Sequence, residues 1–116
     1  MDDPTRVRVS RLFAALSKTS RLRITELLCD EAMGVNEICT ALSLGQSATS
    51  QNLAALTQAG ILYVVQRGSH RVYRVRGPRI AQILRLIEEY CEIHRLYGEP
   101  DNAEGDIRAV AAETEL

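Results

Sequence analysis

The sequence contains no Trp, one Phe and four Tyr, so any hydrophobic core has to be built from aliphatic side chains. Cysteine is scarce and odd in number, with Cys29, Cys39 and Cys91 and no Cys-x-x-Cys pair. That pattern excludes a secreted disulfide framework and makes reduced thiols the default state. Histidine occurs only as His70 and His94. With no glycine-rich phosphate loop and no paired acid and base, the residues argue against an enzyme, and no cofactor is expected. No apolar run approaches the roughly 20 residues of a membrane-spanning helix. The opening Met1-Asp2-Asp3-Pro4 is acidic and has no apolar signal core behind it. The expectation is a cytoplasmic protein without a membrane partner.

What is present is a chain of 116 residues, 46% hydrophobic, which fits one domain with a modest core. Its net charge of -1 conceals an asymmetry. Residues 1–80 carry eleven Lys/Arg against six Asp/Glu, a balance of +5, whereas residues 81–116 carry three against nine, a balance of -6. A basic body with an acidic tail suits a polyanionic partner met by the body alone. The division expected is a domain over residues 1–98 and an acidic, flexible tail over 99–116.

Hydrophobic periodicity predicts helices over 5–16 and over 20–29, with Ser17-Lys18-Thr19-Ser20 between them supplying capping oxygens. A short helix follows over 35–42, with Val35, Ile38, Cys39 and Leu42 on one face. Ser43-Leu44-Gly45-Gln46 makes a tight turn in which Gly45 is the expected left-handed residue. Ser47 is the expected N-cap of the next helix, over 47–59, anchored by Leu53 and Leu56 and ended by Gly60. The period then changes to two, predicting strands over 61–66 and 71–76 joined through Arg67-Gly68-Ser69-His70. A last helix is predicted from Pro78 to Tyr97, with Ile80, Ile83, Leu84, Ile87, Tyr90 and Cys91 as its apolar stripe. The fold class is mainly α with a β-hairpin (α+β): five helices and a two-stranded wing.

A short helix, a tight turn and a second helix form the unit that sets a helix into a DNA groove. With Leu53 and Leu56 turned to the core, Ser47, Ser50, Gln51 and Ala54 share the opposite face. That face is polar but uncharged, whereas an ordinary solvated helix would carry Glu and Lys. Gln reads adenine bidentately, and Ser contacts a base edge or a phosphate. Arg67, His70 and Arg71 cluster at the hairpin tip, followed by Arg74 and Arg76, and suit phosphate or minor-groove contact. A winged-helix module that binds protein instead of DNA would carry acidic residues on this helix or wing, and there are none.

Several segments together resemble the ArsR/SmtB family of winged helix-turn-helix repressors. They are Arg21-Leu22-Arg23-Ile24, Val35-Asn36-Glu37-Ile38-Cys39, the Gln-Ser-x-x-Ser-Gln-x-Leu core at residues 46–53, and the Arg67-Gly68…Val72-Tyr73-Arg74-Val75 wing. The resemblance covers residues 9–94. It implies a homodimer formed through the first and last helices, repression of transcription at operator duplex DNA, and release by a metal, metalloid or thiol-reactive signal. It assigns DNA contact to Gln46, Ser47, Ser50 and Gln51; the wing residues Arg67, His70 and Arg71 take that role from their cluster at the hairpin tip alone. Thr49 stands where the family usually has an aliphatic residue, and the common Pro before Arg21 is missing.

The resemblance also frames the inducer. Positions that carry the arsenic-type cysteine pair hold Gly34 and Asn36 here, and the Asp-x-His of the last-helix metal motif is replaced by Pro78-Arg79-Ile80. No metal site is expected. Cys39 reads as a core thiol, and Cys91 with His94 supplies too few ligands. The thiol-switch branch places one cysteine on each of the second and last helices, as Cys29 and Cys91 do. Cys29, however, sits about one turn beyond the usual partner position, occupied here by Glu26, and a disulfide needs Cα atoms within about 7 Å. A persulfide- or oxidant-sensing Cys29/Cys91 pair is the preferred reading. A metal or metalloid inducer, and thiols that are merely inert, stay open beside it.

Overall fold

In the computed structural model residues 1–95 are described, and they form five helices and one hairpin. The acidic tail and the last residues of the expected final helix, Leu96 and Tyr97, lie outside the described residues. The order is α1 (Asp3–Leu16), α2 (Thr19–Asp30), α3 (Val35–Leu42), α4 (Gln46–Gln58), β1 (Leu62–Arg67), β2 (His70–Val75) and α5 (Arg79–Ile93). Residues 1–81 make one compact unit, and a second begins at Gln82 within α5.

The first unit is held by aliphatic side chains, as the shortage of aromatics requires. Ile24 and Leu28 of α2, Ile38 of α3, Leu53 and Leu56 of α4, and Leu62 of β1 are all fully or almost fully buried. Each such burial contributes about 1.5–3 kcal/mol. Helix boundaries follow local chemistry. Asp2 caps α1, its carboxylate accepting from the Thr5 N–H at 2.8 Å, and hydrogen bonding by the Thr5 side chain first, and by its N–H second, holds the Asp2 carboxyl below its usual pKa. The cap of α2 departs from expectation. Its N-cap is Lys18, with no side-chain bond, and the Ser17 hydroxyl instead donates back to the Ala14 carbonyl. A serine one residue too early serves the helix behind it rather than the one ahead.

The turn between α3 and α4 shows a second departure. Ser43, with φ 55°, takes the left-handed position, while Gly45 is extended and is itself the N-cap of α4. Ser47 therefore lies inside the first turn, not at the cap. Closure comes from the Leu44 N–H donating to the Cys39 carbonyl at 3.1 Å. The far end of α4 is as expected. Gly60 at φ 81° follows Ala59, its N–H bonds Thr57 and that of Ile61 bonds Leu56, which is the double closure of a Schellman motif.

The hairpin is antiparallel, paired from Leu62 with Val75 to Arg67 with His70. Its loop is the two residues Gly68 and Ser69, Gly68 having φ 61°. Positive φ at the first loop residue is the requirement that glycine meets in tight hairpins. The Gln66 side chain braces this loop, donating to the Gly68 carbonyl at 2.9 Å. Two strands alone are marginal in water. Here the outer edge of β2 is covered by the α2–α3 connection, where Met33 and Tyr73 exchange both backbone bonds at 2.8 and 3.2 Å. Gly34 lies so close that a Cβ there would meet the Arg71 carbonyl at 3.3 Å.

In the second unit α5 ends at Ile93, and Arg95 is left-handed with φ 47°. Ile83, Leu86, Ile87, Tyr90 and Ile93 are exposed along it. Leu84 is half-buried and Cys91 exposed, so the stripe includes Leu86 and Ile93 beyond the residues named from sequence. Among the described residues no helix is long and apolar enough to cross a membrane.

One core group is out of balance. The Thr49 hydroxyl is fully buried and has no hydrogen-bond partner, whereas those of Thr25 and Thr57 donate to the carbonyls four residues before them. An unpaired buried hydroxyl costs about 1–3 kcal/mol. Thr49→Val, which keeps the shape and removes the polar atom, should stabilise the chain by about 1 kcal/mol. Urea unfolding at fixed protomer concentration reads this as a higher midpoint with an unchanged slope.

Candidate nucleic-acid interface

Helix α4 has two walls of opposite character. Thr49, Asn52, Leu53 and Leu56 are buried, while Gln46, Ser47, Ser50, Gln51 and Ala54 are exposed. The exposed wall combines amide and hydroxyl groups with one small apolar side chain and holds no charge. Its N-terminal end has no side-chain cap, so backbone N–H groups of the first turn are left for an outside acceptor. The four α4 residues named from sequence thus share one accessible surface, at the helix end that follows the α3–α4 turn.

The wing residues divide by strand alternation. Side chains of directly paired residues share a face. Arg67 and His70, paired at the tip, therefore lie on the face that also carries Tyr63 and Arg74, while Arg71, paired with Gln66, lies on the opposite one. All three tip residues are exposed. Near the base, the Arg76 guanidinium sits 5.7 Å from the centroid of the Tyr63 ring, a cation–π contact that leaves the tip cations as the more available ones.

Sequence reasoning missed a polar cluster behind α4. The Arg21 Nε donates to Asn52 Oδ1 at 3.2 Å, Asn52 Nδ2 donates to the Ser20 hydroxyl at 3.2 Å, and Arg21 Nη1 donates to the Ala15 carbonyl at 3.4 Å. Arg23 donates to the Leu42 carbonyl at 3.0 Å and so satisfies the end of α3. The available signal was Asn52 itself, an amide at a position whose period puts it beside Leu53 and Leu56. A buried amide demands partners.

The cysteines lie on three different helices. Cys39 is half-buried on α3 rather than fully enclosed, and Cys91 is exposed on α5. Cys29, half-buried at the end of α2, borders a cleft of about 320 Å³ lined also by Asp30, Glu31, Tyr63 and Arg74. Burial pushes the Cys29 thiol pKa up, and the carboxylates of Asp30 and Glu26 push it further the same way. The His94 ring packs on Tyr90 with centroids 4.4 Å apart. Among the described residues no three His, Cys, Asp or Glu side chains converge as metal ligands would.

Comparison with known proteins agrees with this architecture. Residues 18–64 match the family described as bacterial regulatory protein, arsR family. The HTH-type transcriptional regulator Rv0324 of Mycobacterium tuberculosis is 30% identical over 86 residues, covering 74% of this chain but only 38% of that protein. The transcriptional activator HlyU of Vibrio cholerae is 30% identical over 85 residues, covering 72% of this chain and 79% of HlyU. Among solved structures, a homodimeric winged helix-turn-helix DNA-binding domain from Mycobacterium bovis superposes with a TM-score of 0.71 at 28% identity, covering 81% of this chain and 90% of that one. Both named relatives are transcriptional regulators. With the turn, the two-walled helix and the wing all in place, the chain belongs to the ArsR family of winged helix-turn-helix transcriptional regulators.

Proposed function

We propose that this chain is a homodimeric repressor that reads operator duplex DNA with α4 and its wing, and that a thiol-reactive signal at Cys29 and Cys91 releases it. The observation that carries the DNA reading is the exposed wall of α4: polar, uncharged, and backed by a buried wall that fixes its direction. Gln51 and Ser50 are the base readers, Gln46 and Ser47 meet the backbone at the helix start, and Arg67, His70 and Arg71 contact phosphates or the minor groove. Gln51→Ala and Ser50→Ala should each cost about 1–3 kcal/mol of operator affinity while leaving non-specific binding nearly intact. Arg71→Ala should weaken all duplexes alike and lower the salt slope by about one. Fluorescence anisotropy across a salt series separates the two kinds of loss. Equal operator affinity in all three variants refutes the assignment.

The dimer reading rests on apolar side chains left uncovered in the protomer: Val7 and Phe13 on α1, and Ile83, Leu86, Ile87, Tyr90 and Ile93 on α5. Soluble monomers seldom expose such rows. Two-fold pairing through these helices sets two recognition helices about one DNA turn, roughly 34–36 Å, apart. Light scattering at micromolar concentration should give twice the 12.9 kDa chain mass. Phe13→Glu or Ile87→Glu should shift that mass toward the monomer.

The thiol reading differs for the two residues. The thiolate is the nucleophile, so the raised pKa of Cys29 lowers its reactive fraction at neutral pH. Cys91 is exposed, and its thiolate makes the first attack on a polysulfide, breaking an S–S bond, releasing the shortened chain and leaving a Cys91 persulfide. The Cys29 thiolate then attacks the Cys91 sulfur, forming a disulfide and releasing hydrosulfide. Mass spectrometry should find iodoacetamide adducts at Cys91 first, with Cys29 lagging and gaining on it as pH rises. In the same preparation Cys91→Ser should stay on operator DNA when polysulfide releases the wild type. Equal release of both removes the thiol switch and turns the search to metals and arsenite.

A further inference from the structure

We infer that Arg21 and Asn52 are positioning residues for DNA reading: a guanidinium bridge from the end of α1 to the inner wall of α4 fixes how α4 is rotated about its own axis. The inference rests on the DNA reading proposed above and adds residues that do not touch DNA. Asn52 follows Gln51 directly but is 9% exposed and faces inward. Its amide is used on both sides, accepting from Arg21 Nε and donating to the Ser20 hydroxyl, each at 3.2 Å. The same guanidinium reaches the Ala15 carbonyl at 3.4 Å. That carbonyl belongs to the last turn of α1, where helix geometry leaves it without an intrahelical partner.

The physical need for such a bridge follows from what else holds α4. Leu53 and Leu56 press it onto the core, but apolar burial is non-directional and tolerates a small rotation. Hydrogen bonds are directional. A rotation of about 10° moves a side-chain tip at the helix surface, roughly 5–6 Å from the axis, by about 1 Å. An ångström is enough to spoil a bidentate contact whose range spans about half that distance. An apolar residue at 52 would bind the core without desolvating an amide, so a buried amide here suits a device that fixes register. Arginine is the residue type required at 21, because one planar fork serves two acceptors at once, which a lysine ammonium on a flexible stem does not reproduce.

The test uses the full chain and a duplex obtained by selecting a random library against the wild type, with a shuffled duplex of equal length as the non-specific standard. The quantity read is the ratio of the two affinities, together with the salt slope. Asn52→Ala and Arg21→Lys should each lower that ratio by about tenfold or more while the salt slope stays the same. Asn52→Asp keeps the bridge, since its carboxylate accepts from Arg21 and a rotated Ser20 hydroxyl can donate to it. Its charge should weaken both duplexes together and leave the ratio within about threefold of the wild type. Circular dichroism checks folding, and if Asn52→Ala is unfolded, Arg21→Lys against Asn52→Asp decides. A ratio unchanged in Asn52→Ala or Arg21→Lys overturns the inference. So does a ratio lowered equally in all three variants, because the isosteric rescue has then failed. A wild type that prefers no duplex overturns the DNA reading as well.

Discussion

Leu53 and Leu56 lose all contact with water, and their burial decides which side of α4 is left for anything else. Truncating either would cost about 2–5 kcal/mol, a large share of what a core this size supplies. Everything the molecule offers to a partner follows from that commitment. The polar wall faces out because the aliphatic wall cannot. The helix start is clear of side-chain caps, and the chain leaves α4 through a glycine turn straight into the wing. A core with no tryptophan and few other aromatics manages this because six helix and strand leucines and isoleucines meet in one place.

The elements and their order were legible from periodicity. The switch from a period near 3.6 to a period of two after Gly60 located the wing, and Gly60 itself marked a closure that only a residue tolerant of positive φ makes easily. The exposed wall of α4 was legible for the same reason, since assigning Leu53 and Leu56 inward assigns Ser50 and Gln51 outward. Turn chemistry was less legible. Gly45 looked like the left-handed residue between α3 and α4, yet Ser43 takes that position and Gly45 is extended. Local preference loses there to the packing of α3 against α4. Ser47 was misread as a cap by two positions because Gly45, without an oxygen to offer, begins the helix instead.

What the sequence did not reveal are contacts between residues far apart in the chain. Arg21 and Asn52 stand 31 positions apart, and Met33 and Tyr73 are joined only by backbone groups, which every residue carries. No spacing rule encodes a bond of the second kind. The thiols mark the same boundary. Cys29 read as the end of a helix, and only its surroundings, burial together with Asp30 and Glu26, give it a different reactivity from an exposed cysteine.

The paired bonds between Met33 and Tyr73 have a consequence for how the chain tolerates changes of length. They make the four residues between Asp30 and Val35 a measured tie, since Glu31 must leave the helix, Met33 must meet β2 and Gly34 must pass close to Arg71 before α3 begins. One residue more or less in that tie would put the wrong backbone groups opposite Tyr73 and free the outer edge of the wing. The loop at Gly68 and Ser69 carries no such obligation, and extra residues there would only lengthen the reach of the tip. Insertions and deletions are therefore forbidden at the root of the wing and permitted at its end, so that the length of the tip can vary without disturbing its attachment.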